Sequence, residues 1–110
     1  SVTGVQTCAL PIYSDTYTET RNMRRKAELA ERWYKTACER LDHAKDVRRF
    51  YATYAHLDLE DFVYGEPNPT DEDLAALEAY KERKYKDFDE AQQKLHPLGR
   101  SKLWQKLKKD

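Results

Sequence analysis

The three histidines, His43, His56 and His96, are the side chains best suited to acid–base or metal chemistry near neutral pH. Glu39 lies one helical turn before His43 and Asp46 lies three residues after it, so a helix would bring three metal-ligating groups together. This spacing lacks the Glu-x-x-His motif of di-iron helical bundles. A histidine that is solvated or paired with a carboxylate is the simpler interpretation, and we predict neither a metal site nor a cofactor.

Nucleophilic and phosphate-binding patterns are missing from the sequence. No serine or cysteine has a matching base nearby, and residues 13–110 contain two glycines, Gly65 and Gly99, which form no phosphate loop. The acids at positions 71–73 are better explained as favourable charges at the start of a helix than as a calcium site. The sequence therefore predicts a protein that is not an enzyme and has no small-molecule substrate.

Most of these side chains belong to one very long helix. Between Tyr13 and Tyr64 there is no glycine or proline, and small or apolar residues recur at steps of three and four. Only a helix places such a series on one face, because it has 3.6 residues per turn. We predict a first helix over about 15–63. The series consists of Met23, Ala27, Ala30, Tyr34, Ala37, Leu41, Ala44, Arg48, Tyr51 and Ala55.

Two more helices are predicted after a stiff connection that begins at Gly65, a residue suited to a left-handed conformation. Thr70 should cap a second helix, over about 71–96, in a capping-box-like arrangement with Asp73. Ser101 should cap a short amphipathic helix over about 101–109.

A short connection makes neighbouring helices antiparallel. The predicted fold class is therefore all-α, an antiparallel helical hairpin with one very long helix, a shorter second helix and a short C-terminal amphipathic helix, in a single domain over 13–110. In this hairpin we expect Phe88 to Leu95 to lie against roughly Tyr34 to Leu41.

The first dozen residues differ in origin from the rest, on our interpretation. Residues 2–12 (VTGVQTCALPI) resemble one reading frame of a widely used short-read sequencing adapter when they are read back through the genetic code. We interpret residues 1–12 as an assembly artefact rather than native structure, with a real extended N-terminal arm as the alternative. The interpretation points to an environmental sequence from a microbe or a virus, and it leaves open whether native residues precede Tyr13.

Composition sets limits on the environment of the chain. Charged residues make up 36 % of it and the mean hydropathy is −1.03, values that favour disorder only where periodicity is missing. With Cys8 set aside, Cys38 has no intrachain disulfide partner, and nothing suggests secretion. No apolar run is long enough to span a bilayer. We predict a cytoplasmic protein, in its own cell or in a host, without a membrane partner.

The N-terminal half of the first helix extends beyond what the second helix could cover. Its small and apolar positions are then solvated, frayed, or in contact with another protein or a second copy of the chain. Our leading hypothesis is a noncatalytic protein–protein interaction module that self-associates or docks as a small subunit or inhibitor on a larger assembly, a phage-encoded inhibitor being one such form. The predicted partner-binding residues are Met23, Ala27, Ala30, Trp33 and Tyr34.

The formal net charge of zero conceals a segregation of charge along the chain. The stretch from Asp58 to Ala79 contains eight acids and no base. Two basic clusters, within 21–26 and 100–109, should approach each other at the opposite, open end of the predicted hairpin. The alternative function is a nucleic-acid-associated adaptor, although a pI of about 6.8 and the lack of a base-reading motif count against it. The residues that would contact nucleic acid or an acidic partner are Arg21, Arg24, Arg25, Lys26, Arg100, Lys102 and Lys106.

Overall fold

The protein is described here by a computed structural model, which covers the backbone of residues 2–57, 65–97 and 99–109 and side chains from Tyr17 onward. Its helices are α1 (Val2–Thr53), α2 (Asp71–Leu95) and α3 (Lys102–Lys109), with a 3₁₀ turn at Ala55–Leu57. These described ranges contain no strand, and the predicted all-α hairpin is confirmed. None of the helices in the same ranges is both long and apolar enough to cross a membrane.

The bounds of α1 differ from the sequence-based ones at both ends. It begins at Val2 and ends at Thr53, whereas the periodicity predicted about 15–63. The amide of Leu57 donates to the Tyr54 carbonyl oxygen at 3.0 Å, and this i to i+3 hydrogen bond is the one that defines a 3₁₀ turn. Residues 58–63 of the predicted helix lie outside the described residues. The interpretation of residues 1–12 as an artefact stays a prediction.

The start of α2 follows the predicted capping box. The amide of Asp73 donates to the Thr70 hydroxyl at 3.1 Å, and the amide of Thr70 donates to the Asp73 carboxylate at 3.0 Å. Two backbone donors that the first turn cannot satisfy are therefore bonded reciprocally. Gly65 has a φ of 82°, which confirms its predicted left-handed conformation.

The chain divides into two compact units, and the first consists of residues 32–86. Three contacts between its α1 and α2 segments show their direction. They are the Arg48–Asp71 ion pair, Arg40 over the Tyr80 ring, and Lys84 over the Trp33 ring. Residue numbers fall along α1 as they rise along α2, so the two segments are antiparallel. Tyr34, Ala37, Leu41, Ala44 and Val47 are the buried α1 residues of this unit, and Leu41 and Val47 are fully enclosed.

The second unit consists of residues 1–31 and 87–110. Ala27 of α1 packs with Ala91 and Leu95 of α2, and Met23 and Ala30 lie partly buried against this cluster. Small side chains at 27 and 91 allow the two helices to approach closely. Phe88 and Gln92 of this unit are also buried, and the Gln92 amide donates to the Gly99 carbonyl oxygen at 2.8 Å.

Helix α3 is attached to α2 within the second unit. Its predicted cap is confirmed, because the amide of Trp104 donates to the Ser101 hydroxyl at 3.3 Å. The Trp104 indole donates to the Asp89 carboxylate at 2.8 Å, and the Lys108 ammonium lies 2.9 Å from the same oxygen. One carboxylate of α2 therefore holds two side chains of α3.

The register of the hairpin differs from the expected one. Tyr34 pairs with Tyr85, at 5.5 Å between ring centroids, and Ala91 and Leu95 pack with Ala27. The expected partners of Phe88 to Leu95 had been Tyr34 to Leu41, further along α1. The shift accompanies an earlier end of α1: the helix ends at Thr53, and the start of α2 lies beside Arg48.

Candidate functional site

Four of the five predicted partner-binding residues lie wholly or partly inside the chain's own packing. Ala27 and Tyr34 are buried, at 3 % and 8 % exposure, and Met23 and Ala30 are half-buried. Because α2 pairs further toward the start of α1 than expected, it covers the face that the sequence left open. Trp33 is different, since 48 % of it remains exposed.

Trp33 belongs to a group of charged and aromatic side chains in the unit of residues 32–86. The Lys84 ammonium lies 5.8 Å from the centroid of the Trp33 ring and 5.3 Å from that of Tyr80. The guanidinium carbons of Arg40 and Arg83 lie 5.4 Å and 5.6 Å from the Tyr80 centroid. All four distances are within the range of cation–π attraction. We call these five residues, Trp33, Arg40, Tyr80, Arg83 and Lys84, the cationic–aromatic cluster.

The cationic–aromatic cluster is missed by sequence reasoning except for Trp33. Arg40 and Trp33 are seven residues apart, which puts them on one face of a helix. The α2 residues join them only because of the observed register, which sequence reasoning placed elsewhere. The sequence shows the spacing of Tyr80, Arg83 and Lys84 along α2, but it does not show which residues of α1 they lie against.

A pair of tyrosine rings lies beneath the surface of the same unit. Tyr34 and Tyr85 meet at an interplanar angle of 60°. Burial, and then a side-chain hydrogen bond with Cys38, raises the pKa of Tyr34 to about 12. The Tyr34 hydroxyl therefore stays neutral further into alkaline solution than an ordinary tyrosine does.

The predicted basic residues all belong to the unit of residues 1–31 and 87–110. Arg24 and Arg100 line one open pocket of about 230 Å³, over a floor that includes Leu95. Glu28 and Glu31 line it too, so two carboxylates accompany the two guanidiniums. The remaining basic candidates are exposed: Arg21, Arg25, Lys26, Lys102 and Lys106.

His43 is bound to a carboxylate that the sequence-based metal pattern did not include. Its Nε2 lies 2.6 Å from the Glu66 carboxylate, whereas Asp46 pairs with Arg49 at 3.0 Å. The Tyr51 hydroxyl donates to the Glu66 carbonyl oxygen. Among the described residues, no three ligating side chains are grouped so as to hold a metal ion. His43 therefore bonds α1 to Glu66, which lies in the connection between α1 and α2.

Comparison of the chain with protein-family models, with curated proteins and with solved structures found no match. The assignment of a function therefore rests on the contacts, exposure and charges of the chain's own side chains.

Proposed function

We propose that this protein is a noncatalytic protein–protein interaction module that binds a second copy of itself, with docking on another protein as the second form of the same role. The half-exposed indole of Trp33 carries the proposal. Tryptophan and arginine are enriched among the residues that dominate binding energy at protein interfaces, because they bury large surfaces while keeping polar groups bonded.

The surroundings of Trp33 support an interface more than a chance exposure. Single exposed apolar residues are normal on proteins, and this chain also exposes Tyr17, Leu29, Tyr54 and Leu57. Trp33 differs because a cation lies over its ring and further cations lie around the neighbouring Tyr80. The formal net charge of zero also favours association, since two copies carry no net repulsion.

The proposal is tested by the solution mass of the full chain, from light scattering over a series of concentrations. We expect a mass above that of the monomer, and we expect Trp33→Ala to remain monomeric at the same concentrations. Leu57→Ala is the matched control, because Leu57 is similarly exposed, at 53 %, but lies in the 3₁₀ turn. A parent chain at the monomer mass throughout, or equal association of both variants, contradicts self-association through Trp33.

The second candidate function is contact with nucleic-acid phosphates by the unit of residues 1–31 and 87–110. The observation in its favour is the approach of Arg24 and Arg100 to one pocket. Residues 17–31 and 87–109 contain ten bases and six acids, so this part of the chain attracts polyanions. Lysine and arginine contacts of this kind release counterions and weaken steeply with salt.

Fluorescence anisotropy of a labelled single-stranded oligonucleotide at low salt tests this second function. Arg24→Glu combined with Arg25→Glu should abolish binding, and the charge-matched control is Lys45→Glu combined with Lys86→Glu in the other unit. Equal binding by the two double variants counts against the adaptor.

A further inference from the structure

We infer that the cationic–aromatic cluster is the binding site for an acidic segment of a second copy, namely residues 65–79 of that copy. The inference rests on the proposed self-association and specifies the contact. It concerns side chains of residues 32–86 only, on both the receiving and the contributing copy.

The cluster holds three positive charges around one ring. Arg40, Arg83 and Lys84 each lie between 5.3 and 5.6 Å from the Tyr80 centroid. The ring attracts each cation, and like charges gathered around one ring repel one another. A carboxylate placed beside them lowers that repulsion, and the guanidinium fork of arginine matches its geometry. Arg40 and Arg83 are both exposed, so such a group can reach them.

The charge of the surrounding unit favours a short acidic segment over a polyphosphate chain. Residues 32–86 contain twelve acids and ten bases, so the unit as a whole carries no excess of positive charge. A nucleic-acid strand would also run over the negative surroundings, whereas one or two carboxylates would lie within a screening length of about 10 Å of the cluster. Trp33 adds an apolar surface for the chain that carries them.

A second copy supplies a segment of this chemistry. Residues 65–79 contain five acids and no base. Glu66, Asp71 and Asp73 bond to His43, Arg48 and Thr70 of their own chain. The inference therefore assigns the contact to Glu72 and Glu78, which are exposed on α2. In a two-fold dimer each copy would contribute one cluster and one acidic segment, so the contact is made twice.

A charge swap between two variants tests this contact. The first variant combines Arg40→Glu with Arg83→Glu, and the second combines Glu72→Lys with Glu78→Lys. By sedimentation velocity, each variant alone should self-associate at least about tenfold more weakly than the parent, because like charges then face each other. An equimolar mixture should recover the dimer, since the intact cluster of the second variant meets the intact acids of the first. Recovery also shows that both variants are folded.

The outcomes separate this inference from the proposed function. A parent chain that stays monomeric removes both. Self-association that Trp33→Ala abolishes but both charge variants retain leaves the proposed function standing and overturns the inference. A mixture that stays monomeric overturns it as well, because the acids are then not the occupant. Oligonucleotide binding by the parent that the Arg40 and Arg83 reversal abolishes would reassign the cluster to nucleic acid.

Discussion

At the scale of single residues, Asp89 shows two opposing effects on one carboxylate. Burial alone would raise the pKa of Asp89, but the hydrogen bonds from Lys108 and Trp104 outweigh it and leave the pKa below its usual value. A carboxyl whose pKa is lower in the folded state stabilises the fold above its unfolded pKa, near 3.9, and loses that contribution as the pH falls. Asp89 is thus a pH-dependent link between α2 and α3.

We expect Asp89→Asn to lower the free energy of unfolding by about 1 to 2 kcal/mol at neutral pH, because its hydrogen bonds lose the charge that strengthens them. The difference from the parent should shrink at about pH 3, because the unfolded carboxyl is then mostly protonated while the folded one resists protonation, so the parent loses part of this contribution. Urea unfolding at both pH values measures this, with Asp42→Asn on the exposed surface of α1 as control. An equal loss at both pH values would contradict the assigned role.

Tyr34 should produce the opposite dependence, in alkaline solution. Its pKa is raised to about 12, so its neutral form stabilises the fold fully below the unfolded pKa of about 10, and this contribution is lost as the pH rises toward 12. We expect the stability of the parent to fall relative to Tyr34→Phe between about pH 10 and 12. Chemical unfolding measures the difference. Tyr17→Phe, at a well exposed position, should behave as the parent does.

Residue types did not by themselves show which candidate residues the chain would bury. The sequence singled out Trp33, and the structure leaves it half exposed; it also singled out Ala27 and Tyr34, which α2 buries. The apolar periodicity shows that a face will be covered, because burial of apolar surface stabilises the fold. It does not distinguish cover by the same chain from cover by another.

At the scale of elements, the capping box at the start of α2 was fully predictable. Its two hydrogen bonds join residues that are three positions apart, and such short spacings can be seen directly in the sequence. We expect Thr70→Ala to lower the free energy of unfolding by about 1 kcal/mol. Thr53→Ala is the control, because the Thr53 hydroxyl donates to the Arg49 carbonyl oxygen within a helix that is already bonded. Thermal unfolding followed by circular dichroism compares them, and similar effects of both substitutions would argue against the cap.

The end of α1 was the element-scale feature that sequence could not give. The absence of glycine and proline up to Tyr64 permits a helix but does not require one. The connection is instead held by distant groups, the His43–Glu66 and Arg48–Asp71 pairs. These contacts accompany the register in which α2 meets Trp33 and Arg40, and local sequence spacing displays none of them.

At the scale of the whole molecule, the proposed association should be sensitive to salt, because it joins opposite charges. Raising the ionic strength from about 0.01 M to 1 M shortens the screening length from about 30 Å to about 3 Å. Because opposite charges of two copies attract in the proposed contact, we expect the dimer to weaken over this range while the helical circular dichroism signal stays constant. Sedimentation velocity across a salt series measures the change. Association that strengthens with salt would indicate an apolar contact without the charges.

Each unit of the chain contains one tryptophan, Trp33 among residues 32–86 and Trp104 among residues 87–110. Their surroundings differ, since Lys84 lies over the first ring and His96 and Lys108 contact the second. Trp33→Phe leaves Trp104 as the sole tryptophan, and Trp104→Phe leaves Trp33, so the tryptophan fluorescence of each variant reports on one unit. Coincident melting curves would show that α1, which continues through both units, makes them one cooperative body; separate curves would give each unit a stability of its own.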